Sequence, residues 1–82
     1  MEENRIAVIA IIVENLDQTD ELNRILHEFG PWIIGRMGIP YRARNISLIS
    51  VAVDAPTETI SALTGKLGRL EGVSVKAAYS KQ

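Results

Sequence analysis

The run Ile6-Ala7-Val8-Ile9-Ala10-Ile11-Ile12-Val13 decides the fold of this 82-residue chain. It is rich in β-branched residues and too short for a typical helix, so it reads as a strand. Both of its alternating faces are apolar, which marks a central strand. The run falls far short of the ~20 apolar residues that a membrane helix needs. Glu2 and Glu3 stand where a secretory leader would be basic, and no small-residue cleavage site follows. The expectation is a soluble protein of the cytoplasm.

Working outward from that strand, Glu14-Asn15-Leu16-Asp17 turns the chain. Leu22, Ile25, Leu26 and Phe29 then follow the i, i+3, i+4, i+7 spacing of one helical stripe. Asp17 is the expected N-cap of this helix and Gly30 its expected stop. Asp20, Arg24 and Glu28 lie on its polar side at pairing distance. After Gly30-Pro31, Trp32–Met37 reads as a strand weakened by Gly35. Residues 38–45 read as the long tip of a hairpin, and Ile46–Val53 as a second core strand. Pro56 takes the first position of a second helix, whose buried stripe is Ile60, Leu63, Leu67 and Leu70 and which ends at Gly72. In Val73–Ser80, Val73, Val75, Ala77 and Tyr79 alternate with Ser74, Lys76, Ala78 and Ser80, the pattern of a half-exposed strand.

The order β-α-β-β-α-β with right-handed crossovers is the ferredoxin-like plan of the α+β class. It predicts one domain over residues 1–82, a four-stranded antiparallel sheet with both helices on one face. The first and third strands take the middle.

That plan leaves one sheet face without cover, and the sequence does not make it polar. Ile6, Val8, Ala10 and Ile12 oppose Ala7, Ile9, Ile11 and Val13, while Ile49, Val51 and Val53 oppose Ile46, Leu48, Ser50 and Ala52. In either register about six aliphatic side chains face water, and patches of that kind mark interfaces. A domain this small usually leans on disulfides, a metal or a partner subunit. With no cysteine in the chain, a disulfide frame, thiolate metal sites and a cysteine nucleophile are excluded. Self-association as a dimer or tetramer is the support that remains, through the open sheet face, the second helix or both.

The second helix has a feature of its own. Ser61, Gly65 and Gly68 lie roughly 150° around from its leucine stripe. Such a strip lets another subunit or a ligand approach the backbone; a helix fraying toward Gly72 accounts for it equally well.

Chemistry is sparse elsewhere. The one histidine, His27, falls on the polar side of its helix, and no second histidine or cysteine joins it, so no metal or other cofactor is expected. No nucleophile triad, Walker loop or dinucleotide fingerprint occurs, so no catalytic residue is assigned. Gly35-Arg36-Met37-Gly38 precedes no helix that could present amides to a phosphate. Arg36, Tyr41, Arg42 and Arg44 gather along the hairpin, where arginines beside an aromatic can hold a carboxylate, a phosphate or a nucleotide. For Arg42 and Arg44, a charged tip that discourages edge pairing is the simpler reading. A formal net charge of −1 argues against nucleic acid and anionic membrane as partners.

Arg5-Ile6-Ala7-Val8-Ile9, Ile25-Leu26-His27-Glu28, Gly35-Arg36-Met37-Gly38-Ile39-Pro40-Tyr41, residues 60–68 and Gly72-Val73-Ser74-Val75-Lys76 together resemble a family of short bacterial proteins, the iron-only (FeFe) hydrogenase system regulators. That family looks like the ACT-like group of ferredoxin-fold domains and is similar in architecture to the ligand-sensing half of the nickel-responsive repressor. The resemblance implies a non-catalytic ACT-like regulatory domain, a transcriptional or maturation regulator that works as a homo-oligomer and binds a small effector or a partner protein. Two departures limit it. Residues 14–17 lack the glycine of amino-acid-binding ACT domains, and the repressor's metal ligands have no counterpart beyond His27.

The residues expected to meet a ligand or partner are Arg36, Met37, Gly38, Tyr41, Ser61, Gly65, Lys66 and Gly68. Two other readings compete. A nucleic-acid-binding regulator would use the arginine hairpin of a dimer and bind with steep salt dependence. A small enzyme would set Arg36, Tyr41 and Asp54 at an oligomer interface, without the acid–base pairs such chemistry needs.

Overall fold

The structure, a computed structural model, describes residues 3–81. β1 spans Asn4–Val13, α1 Thr19–Glu28, β2 Ile33–Tyr41, β3 Ile46–Pro56, α2 Thr57–Gly68 and β4 Val73–Tyr79. Short 3₁₀ turns occupy Leu16–Gln18, Gly30–Trp32 and Arg42–Arg44. The sheet is antiparallel with order β2-β3-β1-β4, so β1 and β3 are central, as their two-faced apolarity predicts. This is the ferredoxin-like fold.

One face of the sheet meets both helices. Ala7, Ile9, Ile11 and Val13 of β1 and Val51, Val53 and Ala55 of β3 are buried against Leu22, Ile25 and Leu26 of α1 and Ile60, Leu63 and Leu67 of α2. These are the predicted helical stripes, with Phe29 and Leu70 half-buried at their ends. Each buried leucine or isoleucine contributes roughly 1.5–3 kcal/mol relative to an exposed one.

Element ends differ from the expectations at four places. Asn15, not Asp17, caps the first turn: its side-chain Oδ1 accepts the Asp17 N–H at 3.0 Å, and α1 follows this 3₁₀ turn. α1, by contrast, stops as expected, with Phe29 as C-cap and Gly30 directly after it. β2 runs on through Gly38 and Pro40 to Tyr41, leaving only Arg42–Asn45 as the tip. As an edge strand it can hold a proline, whose missing N–H need not pair outward. β3 stays extended through Pro56, which pairs with Asn4, so Pro56 is the N-cap of α2 and not its first residue. α2 itself ends at Gly68, and Gly72 lies in the turn beyond with φ of +74°.

Removing the Asn15 cap by Asn15→Ala is expected to cost about 1 kcal/mol. Urea unfolding followed by circular dichroism measures it; a midpoint equal to the wild-type value would show that the cap contributes nothing.

Candidate functional site

A bulge in β2 decides which way its side chains point. Ile33 pairs with Val53 and Gly35 with Ala52, so two steps on β2 match one on β3 and Ile34 is the extra residue. From there Arg36 pairs with Val51 and Gly38 with Ile49, on the helix side, while Met37, Ile39 and Tyr41 pair with Ser50, Leu48 and Ile46. Paired residues share a face. The bulge sets the phase after Ile33, and alternation from there puts Arg36 toward the helices and Met37 and Tyr41 on the open face.

The open face is apolar over three adjacent strands. Ile6, Val8 and Ile12 of β1, Leu48 of β3 and Met37, Ile39 and Tyr41 of β2 are all exposed, Met37 by 65% and Ile39 by 54%. Ala10, Ile12, Met37, Ile39, Leu48 and Ser50 line a shallow depression of ≈190 Å³ here. β4 borders the patch with Ser74 and Lys76, which pair with Ile12 and Ala10, and Asp54 lies beside Ile6 at the far end.

On the helix side, Arg36 Nη2 donates to Asn23 Oδ1 of α1 at 3.0 Å. His27, one helical turn after Asn23, lines the same cleft with Leu26, Gly30, Ile33 and Arg36; its volume is ≈360 Å³. Asn23 and His27 were not among the expected site residues. Their i,i+4 spacing puts them on one side of α1, but only the β2 bulge brings Arg36 to meet them.

On α2, Ser61 and Gly68 are exposed and Gly65 is half-buried; a Cβ at either glycine would meet nothing within 4 Å. The strip faces away from the core. Lys66 sits between the helices, its Nζ 3.1 Å from Glu28 Oε2 and 5.5 Å from the Phe29 ring centre. Arg42 and Arg44 are exposed at the hairpin tip, where Asn45 turns the chain with φ of 55°. The expected site residues thus divide among three surfaces: Met37 and Tyr41 on the open face, Arg36 and Gly38 on the helix side, and Ser61, Gly65, Lys66 and Gly68 on α2.

A cluster of ion pairs sits on the solvent side of α1. Arg24 contacts Glu21 at 2.6 Å and Glu28 at 3.8 Å. Its hydrogen bond holds the Glu21 carboxyl below the usual carboxylate range and raises the Arg24 guanidinium in turn. Among the described residues no group of three or more His, Cys, Asp or Glu converges on a point that could hold a metal ion, and no helix is long and apolar enough to cross a membrane.

Residues 5–77 match the TM1266-like family, whose description reads "Iron-only hydrogenase system regulator, putative". The chain belongs to this family. Its fold is correspondingly close to that of the uncharacterized TM1266 of Thermotoga maritima, with 35% identity and a TM-score of 0.92 over 96% of this chain and 100% of that one. A formyltetrahydrofolate deformylase of Pseudomonas putida is similar at 12% identity and a TM-score of 0.67, covering 94% of this chain and 29% of the enzyme. Divalent ion tolerance protein CutA1 of Ehrlichia chaffeensis is similar at 11% identity and a TM-score of 0.50, over 100% of this chain and 85% of that one. These two likenesses concern the fold alone. No curated protein matches the chain. Membership of the TM1266-like family agrees with the resemblance read from the sequence, and the match spans β1 through most of β4.

Proposed function

We propose that the chain is a non-catalytic regulatory subunit of an iron-only hydrogenase system, acting as an assembly of identical copies joined through the open sheet face. The regulatory part follows the description of the TM1266-like family. The observation that carries the assembly is the apolar face of β2, β3 and β1, which has no cover among the described residues. From strand spacing and rise, this face has an area on the order of 500 Å². At roughly 25 cal/mol per Å² each such face contributes about 12 kcal/mol to association before the loss of translational and rotational freedom is subtracted. Two such faces bury on the order of 1,000 Å², the lower end of specific interfaces.

Sedimentation equilibrium in the micromolar range is expected to show a species heavier than one chain. Native mass spectrometry on the same sample counts the copies. A species with the mass of a single chain throughout that range would refute the assembly. Nucleic-acid binding has less support: Arg42 and Arg44 are exposed at the tip, but Arg36 is drawn to Asn23 and does not join them.

A further inference from the structure

The cleft between α1 and β2 combines three features. The first is a cation without an acidic partner. The ion pairs among the described residues join Arg24 to Glu21 and Glu28, and Lys66 to Glu28; Arg36 is in none of them. The second is alignment. Asn23 Oδ1 accepts from one Arg36 nitrogen at 3.0 Å, and a guanidinium carries five N–H donors in a planar fork. The third is a mixed lining. Asn23, His27 and Arg36 supply polar groups, and the cleft also meets Leu26, which is buried, and Ile33, which is half-buried.

Chemistry selects the occupant. A guanidinium fork recognises planar or tetrahedral oxyanions through paired N–H donors. The Asn23 amide, with its oxygen committed to Arg36, keeps an NH₂ to donate, and the His27 ring adds another N–H. The half-buried Ile33 favours an apolar body behind the charged head. A volume of ≈360 Å³ fits a small molecule and not a chain segment.

We propose that this cleft is a binding site for a small oxyanion, a carboxylate or a phosphate, held by Arg36, Asn23 and His27. The proposal rests on the regulatory reading only for what the ligand controls. It does not require the sheet-face assembly, because the cleft lies on the opposite side of the sheet.

The full chain is titrated at low ionic strength with isovalerate, acetate and inorganic phosphate, with sodium chloride as the control for general charge screening. Amide chemical shifts are followed by nuclear magnetic resonance. The expected result is saturable shifts at Asn23, His27, Ile33 and Arg36 that chloride does not reproduce. Tighter binding of isovalerate than of acetate or phosphate would assign a carboxylate with an apolar body, and tighter binding of phosphate a phosphate ligand. Arg36→Ala is expected to weaken binding at least about tenfold, and Arg36→Lys less, since it keeps the charge and loses the fork. His27→Ala, on the exposed side of α1, provides a second weakened variant should Arg36→Ala unfold. Shifts that never saturate with any probe, or equal affinity in the Arg36 and His27 variants, would overturn the site. Sedimentation decides the assembly and this titration decides the cleft, so either can fail alone.

Discussion

Replacing Gly72 by alanine is expected to destabilise the fold by about 2–4 kcal/mol, out of a total on the order of 4–12 kcal/mol for a chain of this length. Two costs combine. The residue sits at φ of +74°, where an L side chain loses roughly 1–2 kcal/mol. A Cβ there would also stand 2.7 Å from Asn15 Cβ and 3.1 Å from the Asn15 backbone nitrogen. The backbone cannot move away cheaply, because Gly72 O accepts the Glu14 N–H at 2.7 Å. Thermal unfolding should therefore shift down by roughly 10–25 °C. Gly65→Ala is the matched control: its Cβ meets nothing within 4 Å, and alanine stabilises a helix interior by about 0.5–1 kcal/mol. The same chemical change should thus have opposite signs at the two positions. Equal melting temperatures for Gly72→Ala and wild type would sink the argument.

The second large effect is expected from Ile12→Lys. Ile12 is exposed on the open face, paired with Leu48 and Ser74 and lining the apolar depression. In a single copy the lysine head reaches water, so the fold keeps its secondary structure. Between two sheets the same charge is desolvated without a partner, which costs several kcal/mol. Weakening of association by at least about a hundredfold follows. The variant should sediment as one chain, and its melting temperature should no longer rise with protein concentration. Retention of the wild-type mass by Ile12→Lys would move the interface elsewhere, with the Ser61-Gly65-Gly68 strip the next surface to substitute.

What the sequence made legible follows from how local each signal is. The two apolar phases of residues 6–13 announced both the core and an uncovered face, because alternation needs no partner to be read. Leu22, Ile25, Leu26 and Ile60, Leu63, Leu67 were legible for the same reason, and all six are buried. Signals that depend on a distant strand were not. Pro56 has the local marks of a first helical residue, yet pairing with Asn4 keeps it in β3. Gly72 reads as a helix stop, while its tight constraint comes from Asn15, across the molecule. Arg36 was grouped with Tyr41 because the strand was expected to end at Met37; with β2 continuous to Tyr41, their odd spacing puts them on opposite faces. Asn23 escaped notice since its role exists only once Arg36 arrives.

β2 also ties together the two surfaces, since Arg36 and Gly38 lie on the helix side and Met37, Ile39 and Tyr41 on the open side of one register with β3. A one-residue slip of β2 against β3 would turn Met37, Ile39 and Tyr41 inward and swing Arg36 away from Asn23 in a single step. Deleting Ile34, which has no partner on β3, would leave that register unchanged.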